Sequence, residues 1–215
     1  MVNTEQPELD SQATSPLSVQ VGQAAPKFDL PALQGMRVQL DQYQGQRNIL
    51  LWFSRGFTCN FCRPHMDDMT RHYDAWQAID TDIVQLAPNL NSAALRFFRD
   101  VVPPYPFICD PDKRLYAIYG LGDRGVLEAT RNTVVSFSTA FMQGDGTQTV
   151  RGSWLDVMNR NFMRRLHHHA MTAVEQGVFI IDKQGIIRYR NTMGAIDDIP
   201  SATELIELTQ ALCAN

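Results

Sequence analysis

Two cysteines three positions apart, Cys59 and Cys62, stand in the stretch FSRGFTCNFCRPHM. Three chemistries are open to such a pair: a redox couple, half of a zinc site, or two inert buried thiols. A zinc site needs two more ligands. Cys109, Cys213 and the run His167-His168-His169 are the candidates. Neighbouring residues on a helix point about 100° apart, so three consecutive histidines cannot all face one ion. No second C-x-x-C and no paired histidine spacing is present. The redox couple fits better, and the reason is position.

A thiol reacts as its thiolate. The apolar run NILLWFS, Asn48 to Ser54, reads as a strand buried on both faces. After the cysteines, Met66, Met69, Tyr73 and Trp76 recur at spacings of three and four, which predicts one amphipathic helix over 61–79. Both sulfurs then sit at a helix N-terminus, where unpaired N–H groups and the helix dipole stabilise negative charge. Cys59 lies nearer solvent and is the expected attacking sulfur, with Cys62 as its resolving partner. Arg55 and Arg63 add positive charge on either side. Thr58 is placed to donate to the sulfur or to a bound oxygen. His65 is read as an ordinary helix residue, Trp52 as core and Cys109 as a buried small hydrophobe, following a strand expected beside the one that leads to Cys59.

The rest of the chain supplies the frame. Residues 1–16 form a polar tail, and 17–215 are expected to be one domain. Val21 to Leu30 runs extended, and Met36 to Leu40 alternates as a short strand. Asp82 to Pro88 is a further buried strand, Ser92 to Val101 a helix with Leu95 and Phe98 on one side, and Pro106 to Asp110 a short strand. Asp112 to Gly120 is a helix closed by its glycine. VFIIDKQGIIRYRNT is an antiparallel hairpin turning at Lys183-Gln184-Gly185. Ser201 to Cys213 is a closing helix, with Ser201 and Glu204 as a capping box. The expected fold is α/β: a mixed sheet with helices on both faces. An insertion, about 121–175 and mainly helical, breaks the rhythm before the last hairpin. It is expected to cover the site or to build an interface.

The 215 residues carry a formal net charge of −4, with scattered Lys and Arg, which gives no reason to expect nucleic acid or an acidic membrane surface as a partner. No apolar run reaches ~18 residues. The polar start lacks the pattern of a secretory signal, so a cytoplasmic location is expected. Four cysteines do not make a disulfide scaffold.

The segment FSRGFTCNFC resembles the F-x-R-G-x-x-C-x-x-C signature of peroxiredoxin-like proteins, the AhpC/TSA branch of the thioredoxin-like superfamily. VGQAAPKFDLPALQGMRVQLDQYQGQRNILLWF resembles that family's N-terminal block, FICDPDKRLYAIYGLG its "DPD…YG" segment, and GVFIIDKQGIIRYRN its final hairpin. The resemblance implies a thioredoxin-like fold and a thiol-based activity: Cys59 attacks a peroxide or a disulfide, Cys62 resolves the product, and Arg55 and Thr58 support the site. It implies no metal or organic cofactor. It implies a thioredoxin-like or glutathione-like reductant and a possible homodimer. The sequence also departs from the family pattern. The Pro-x-x-x-Thr/Ser-x-x-Cys motif is absent, Gln176 stands where an arginine is expected, and Gly177 stands where thioredoxins carry a cis-proline. Arg55, Arg151 and Arg164 are the candidates to replace that arginine. Two rivals follow: a disulfide reductase without peroxidase activity, and a non-catalytic binding module on the same fold.

Overall fold

The computed structural model describes residues 19–57, 59, 62–122, 174–193 and 199–213. The strands are β1 (Asp29–Pro31), β2 (Arg37–Gln39), β3 (Asn48–Phe53), β4 (Thr81–Ala87), β5 (Phe107–Cys109), β6 (Gln176–Ile181) and β7 (Ile187–Met193). The helices are α1 (Cys62–Arg71), α2 (Tyr73–Ala78), α3 (Asn91–Phe97), α4 (Arg114–Ile118) and α5 (Ala202–Cys213), with a 3-10 turn over Leu40–Tyr43. Five strands form one sheet in the order β5-β4-β3-β6-β7, while β1 and β2 make a small separate hairpin. β3, β4 and β5 run parallel; β6 is antiparallel to β3, and β7 to β6. This is the mixed α/β sheet that the sequence predicts.

Every residue of β3 is buried, because the strand is central and both of its faces are covered. Side chains alternate across the sheet. Ile49, Leu51 and Phe53 meet Leu115, Tyr116, Tyr119 and Phe179 on one face. Leu50 and Trp52 meet Met66, Met69, Trp76, Val178 and Leu205 on the other. Each such side chain contributes about 1.5–3 kcal/mol on burial, so the strand that delivers the cysteines is firmly anchored in the sheet.

The single helix expected over 61–79 is two. The backbone turns aside at His72 (φ −98°, ψ 12°). There the imidazole Nδ1 lies 2.9 Å from the carbonyl of Asp68 that also accepts the His72 N–H. A side chain competing for a helical carbonyl loosens the turn, yet Trp76 N–H still donates to His72 O, and the apolar face continues. The helix expected to reach Val101 ends at Phe97. Its buried residue is Ala94, followed by Phe98 just past its end, and Leu95 is exposed. Phe98 leaves the helix to pack edge-on against Phe57 and Phe107.

Caps fix the remaining helices. Asp110, buried, accepts the N–H groups of Arg114 and Leu115 at the start of α4, and Gly120, at φ 71°, closes it. Ser201 and Glu204 form the expected reciprocal capping box. Asp68 of α1 adds an unexpected cap by accepting the Ala202 N–H at 2.8 Å, which ties α5 to α1. Gly122 and Glu175 hydrogen-bond to each other, so the chain on either side of the expected insertion meets at one point. The helical content expected there, the histidine run, Arg151, Arg164, Thr58 and the N-terminal tail lie outside the described residues. Among the described residues no helix is long and apolar enough to cross a membrane.

Replacing Asp110 by Ala strips the N–H groups of Arg114 and Leu115, the second of them buried, of their acceptor. The expected outcome is a loss of about 1–2 kcal/mol, read as a lower urea midpoint at unchanged slope. An unchanged midpoint would contradict the capping role.

Candidate active site

The site begins where the chain leaves β3. Ser54 continues the ladder by one bond, its N–H donating to Leu86 O at 2.9 Å. Its hydroxyl donates to the same carbonyl at 2.8 Å. The Ser54 Oγ in turn accepts the N–H of Gly56 and the side-chain amide of Gln85. The Tyr116 hydroxyl donates to Ser54 O and, at 3.1 Å, to Leu86 O. Five donors thus find acceptors inside an apolar surround, while the buried Oε1 of Gln85 has no hydrogen-bond partner among the described residues. The sequence reading missed Ser54, Gln85 and Tyr116. A signal was present: a glutamine in the middle of the apolar run DIVQLAP is costly unless it has a fixed partner.

Gly56 then turns the chain, at φ 95°. A Cβ there would lie 2.1 Å from Asn89 Oδ1, so both the conformation and the space require glycine. Asn89, just past the end of β4, is itself buried. The Gly56 carbonyl accepts the N–H of Cys59, and the Cys59 carbonyl accepts those of Cys62 and Arg63. Cys59 therefore sits at the mouth of α1, and Cys62 is the first residue of that helix. Thiolate charge at this place meets the positive end of the helix dipole.

Arg55 and Cys59 meet. The Nη2 group of Arg55 is 3.4 Å from the Cys59 sulfur, a donor and a cation on one atom. Cys59 is 9 % exposed and Cys62 is fully buried. The Cys62 thiol is pushed well above its ordinary value, first by its hydrogen bond to Cys59, then by burial and by the charge of Cys59, with Arg55 acting the other way. The two sulfurs are chemically unequal: the surroundings of Cys62 disfavour its thiolate, while Cys59 faces the cation. The buried carboxamide of Gln176 closes the far side, its Oε1 3.6 Å from the Cys62 sulfur. The sequence marks Gln176 only as the residue in place of an arginine, not as a neighbour of Cys62.

Other candidates lie elsewhere. Arg63 is exposed, with its guanidinium 5.7 Å from the centre of the Phe97 ring, a cation–π placement. Gly177 pairs with Phe53, and a side chain there would meet Leu121, on the sheet face away from the cysteines. His65 is half-buried on α1, and Trp52 is core. Cys109 was expected to follow a strand lying beside β3. Instead β4 separates β5 from β3, and Cys109 pairs with Ala87. Burial pushes its thiol up to about 11. Cys213 lines a small cavity with Asn48 and Thr209, at the end of β3 opposite Cys59, and its thiol is also raised by burial.

A protein-family model, the AhpC/TSA family, matches residues 21–143, more than half of the chain. No curated protein matches it. Among solved structures, a reduced 2-Cys peroxiredoxin of Plasmodium vivax superposes with a TM-score of 0.59 at 15% identity, covering 89% of this chain and 94% of its own. An AhpC of Enterococcus faecalis superposes with a TM-score of 0.60 at 14% identity, covering 90% of this chain and 92% of its own. At that identity the superpositions speak for a shared thioredoxin-like fold, and the matched family speaks for the chemistry. The chain belongs to the AhpC/TSA family and is a thiol-dependent oxidoreductase of peroxidase type.

Proposed function

We propose that this chain reduces a peroxide through Cys59 as nucleophile and Cys62 as resolving thiol, with Arg55 as the cation that supports the charged sulfur. The observation that carries the reading is the Arg55–Cys59 contact at the mouth of α1, beside a fully buried Cys62. The Cys59 thiolate attacks one peroxide oxygen. The O–O bond breaks, an alcohol or water leaves with a proton, and Cys59 becomes a sulfenic acid. The Cys62 sulfur then attacks the Cys59 sulfur. An S–S bond forms, the S–OH bond breaks, and the hydroxyl leaves as water with the Cys62 proton. A thioredoxin-like or glutathione-like thiol reduces the disulfide and restores both cysteines. Thr58, next to Cys59 in sequence, is a second donor for the site.

Gln176 favours a second reading. A neutral amide stands beside the resolving cysteine where the family pattern has an arginine. Among the described residues Arg55 is the cation placed on the sulfur, and the lack of an arginine at position 176 suits a disulfide substrate better. In that reading Cys59 attacks a disulfide, one thiolate leaves, and Cys62 releases the second product thiol as the intramolecular disulfide closes.

Treatment with one equivalent of hydrogen peroxide separates the two. The Cys62→Ser protein is expected to accumulate a trappable sulfenic acid at Cys59, and the Cys59→Ser protein to leave peroxide untouched. Peroxide left intact by the wild type, together with turnover of a small disulfide, would move the assignment to the second reading. Arg55→Gln removes a charge-assisted hydrogen bond worth about 1.5–3 kcal/mol. Stopped-flow oxidation of Cys59 is then expected to slow by about ten-fold or more. A variant as fast as wild type would remove Arg55 from the mechanism.

A further inference from the structure

Gln176 opens β6 and is 2 % exposed. Its side chain lies on the sheet face of Val178 and Ile180, which α1 covers, while Gly177 and Phe179 turn to the other face. That alternation brings its Oε1 to 3.6 Å from the Cys62 sulfur across 114 positions of sequence. The distance suits a thiol donor, and the single Cys62 proton is shared between this acceptor and the Cys59 sulfur. We propose that Gln176 is a positioning residue that holds the Cys62 thiol, proton on, in line for Cys59 until Cys59 has been oxidised.

The chemistry of the amide supports that role, which rests on the two-cysteine reading above. A carboxamide oxygen accepts a hydrogen bond and never takes the proton. A carboxylate in its place would compete for the proton. A cation would favour a Cys62 thiolate and set two nucleophiles against each other at one helix end. With Gln176 the order is enforced. Cys62 stays neutral while Cys59 reacts, and the proton leaves only with the departing group: on the hydroxyl that becomes water, or on the thiolate released from a disulfide. The groups that face Cys62 electrostatically are Cys59 and Arg55 near the helix mouth and Tyr116 from α4. Arg55 and Tyr116 are not bases at neutral pH, and the Cys59 thiolate is consumed as the nucleophile before Cys62 gives up its proton.

Gln176→Leu removes the acceptor and keeps the bulk. In single-turnover oxidation its Cys59 step is expected to stay within about two-fold of wild type, while closure of the Cys59–Cys62 disulfide slows about ten-fold. Gln176→Arg, studied in a Cys59→Ser background so that Cys62 alone reports, is expected to move the pH profile of Cys62 alkylation to lower pH. Mass spectrometry of the labelled peptides assigns each signal. Unchanged closure in Gln176→Leu, equal slowing of both steps, or an unmoved profile in Gln176→Arg overturns the positioning role. A wild-type Cys59 that reacts no faster than an ordinary thiol overturns the redox reading itself and takes the positioning role with it.

Discussion

The site depends on how the chain leaves β3. Ser54 is held at that exit by its own ladder bond, by its hydroxyl, and by the Tyr116 hydroxyl on its carbonyl. The same serine oxygen takes the Gly56 N–H, which aims the turn. Everything beyond follows from that direction: the left-handed Gly56 against Asn89, the hydrogen bond from Cys59 back to Gly56, and the start of α1. A central strand buried on both faces is a rigid foundation. The polar knot at its end converts that rigidity into a fixed place for one sulfur. Low dielectric makes such a network strong when it is satisfied and costly when it is broken.

From that placement comes the inequality of the two thiols. Cys59 stands at the rim with a guanidinium on its sulfur, and Cys62 lies one helical turn deeper with no exposure. Burial and a neighbouring sulfur keep the deeper thiol protonated. A nucleophile and a proton-bearing resolver need different environments, and one strand-to-helix junction supplies both. Gln176 reaches the pair from an antiparallel strand far along the chain, so the second environment depends on sheet register as well as on the helix.

Local patterns of the sequence carry much of this. The run Asn48 to Ser54 announces a doubly buried strand, the Ser201–Glu204 spacing announces a capping box, and the two β-rich runs around Gly185 announce the final hairpin. The C-x-x-C at the strand-to-helix junction marks the site. What local pattern does not carry is the outcome of competition and of long-range pairing. The helix break at His72 comes from an imidazole contending for one carbonyl. Leu95 has the right spacing for a buried face, but Ala94 and Phe98 take the core instead. Cys109 ends β5, which sheet order places one strand away from β3 with β4 between. The aim of Gln176 at Cys62 depends on the pairing of β6 with β3, which no single segment encodes.

The central claim is that charge and helix geometry, rather than exposure, make Cys59 the reactive thiol. Competitive labelling of the four cysteines with a limiting alkylating reagent at neutral pH tests it directly. Cys109 and Cys213 are more open to solvent than Cys59. The account predicts that Cys59 is labelled first by a wide margin, with Cys62 last. Labelling that follows exposure, with Cys109 and Cys213 ahead of Cys59, would contradict it.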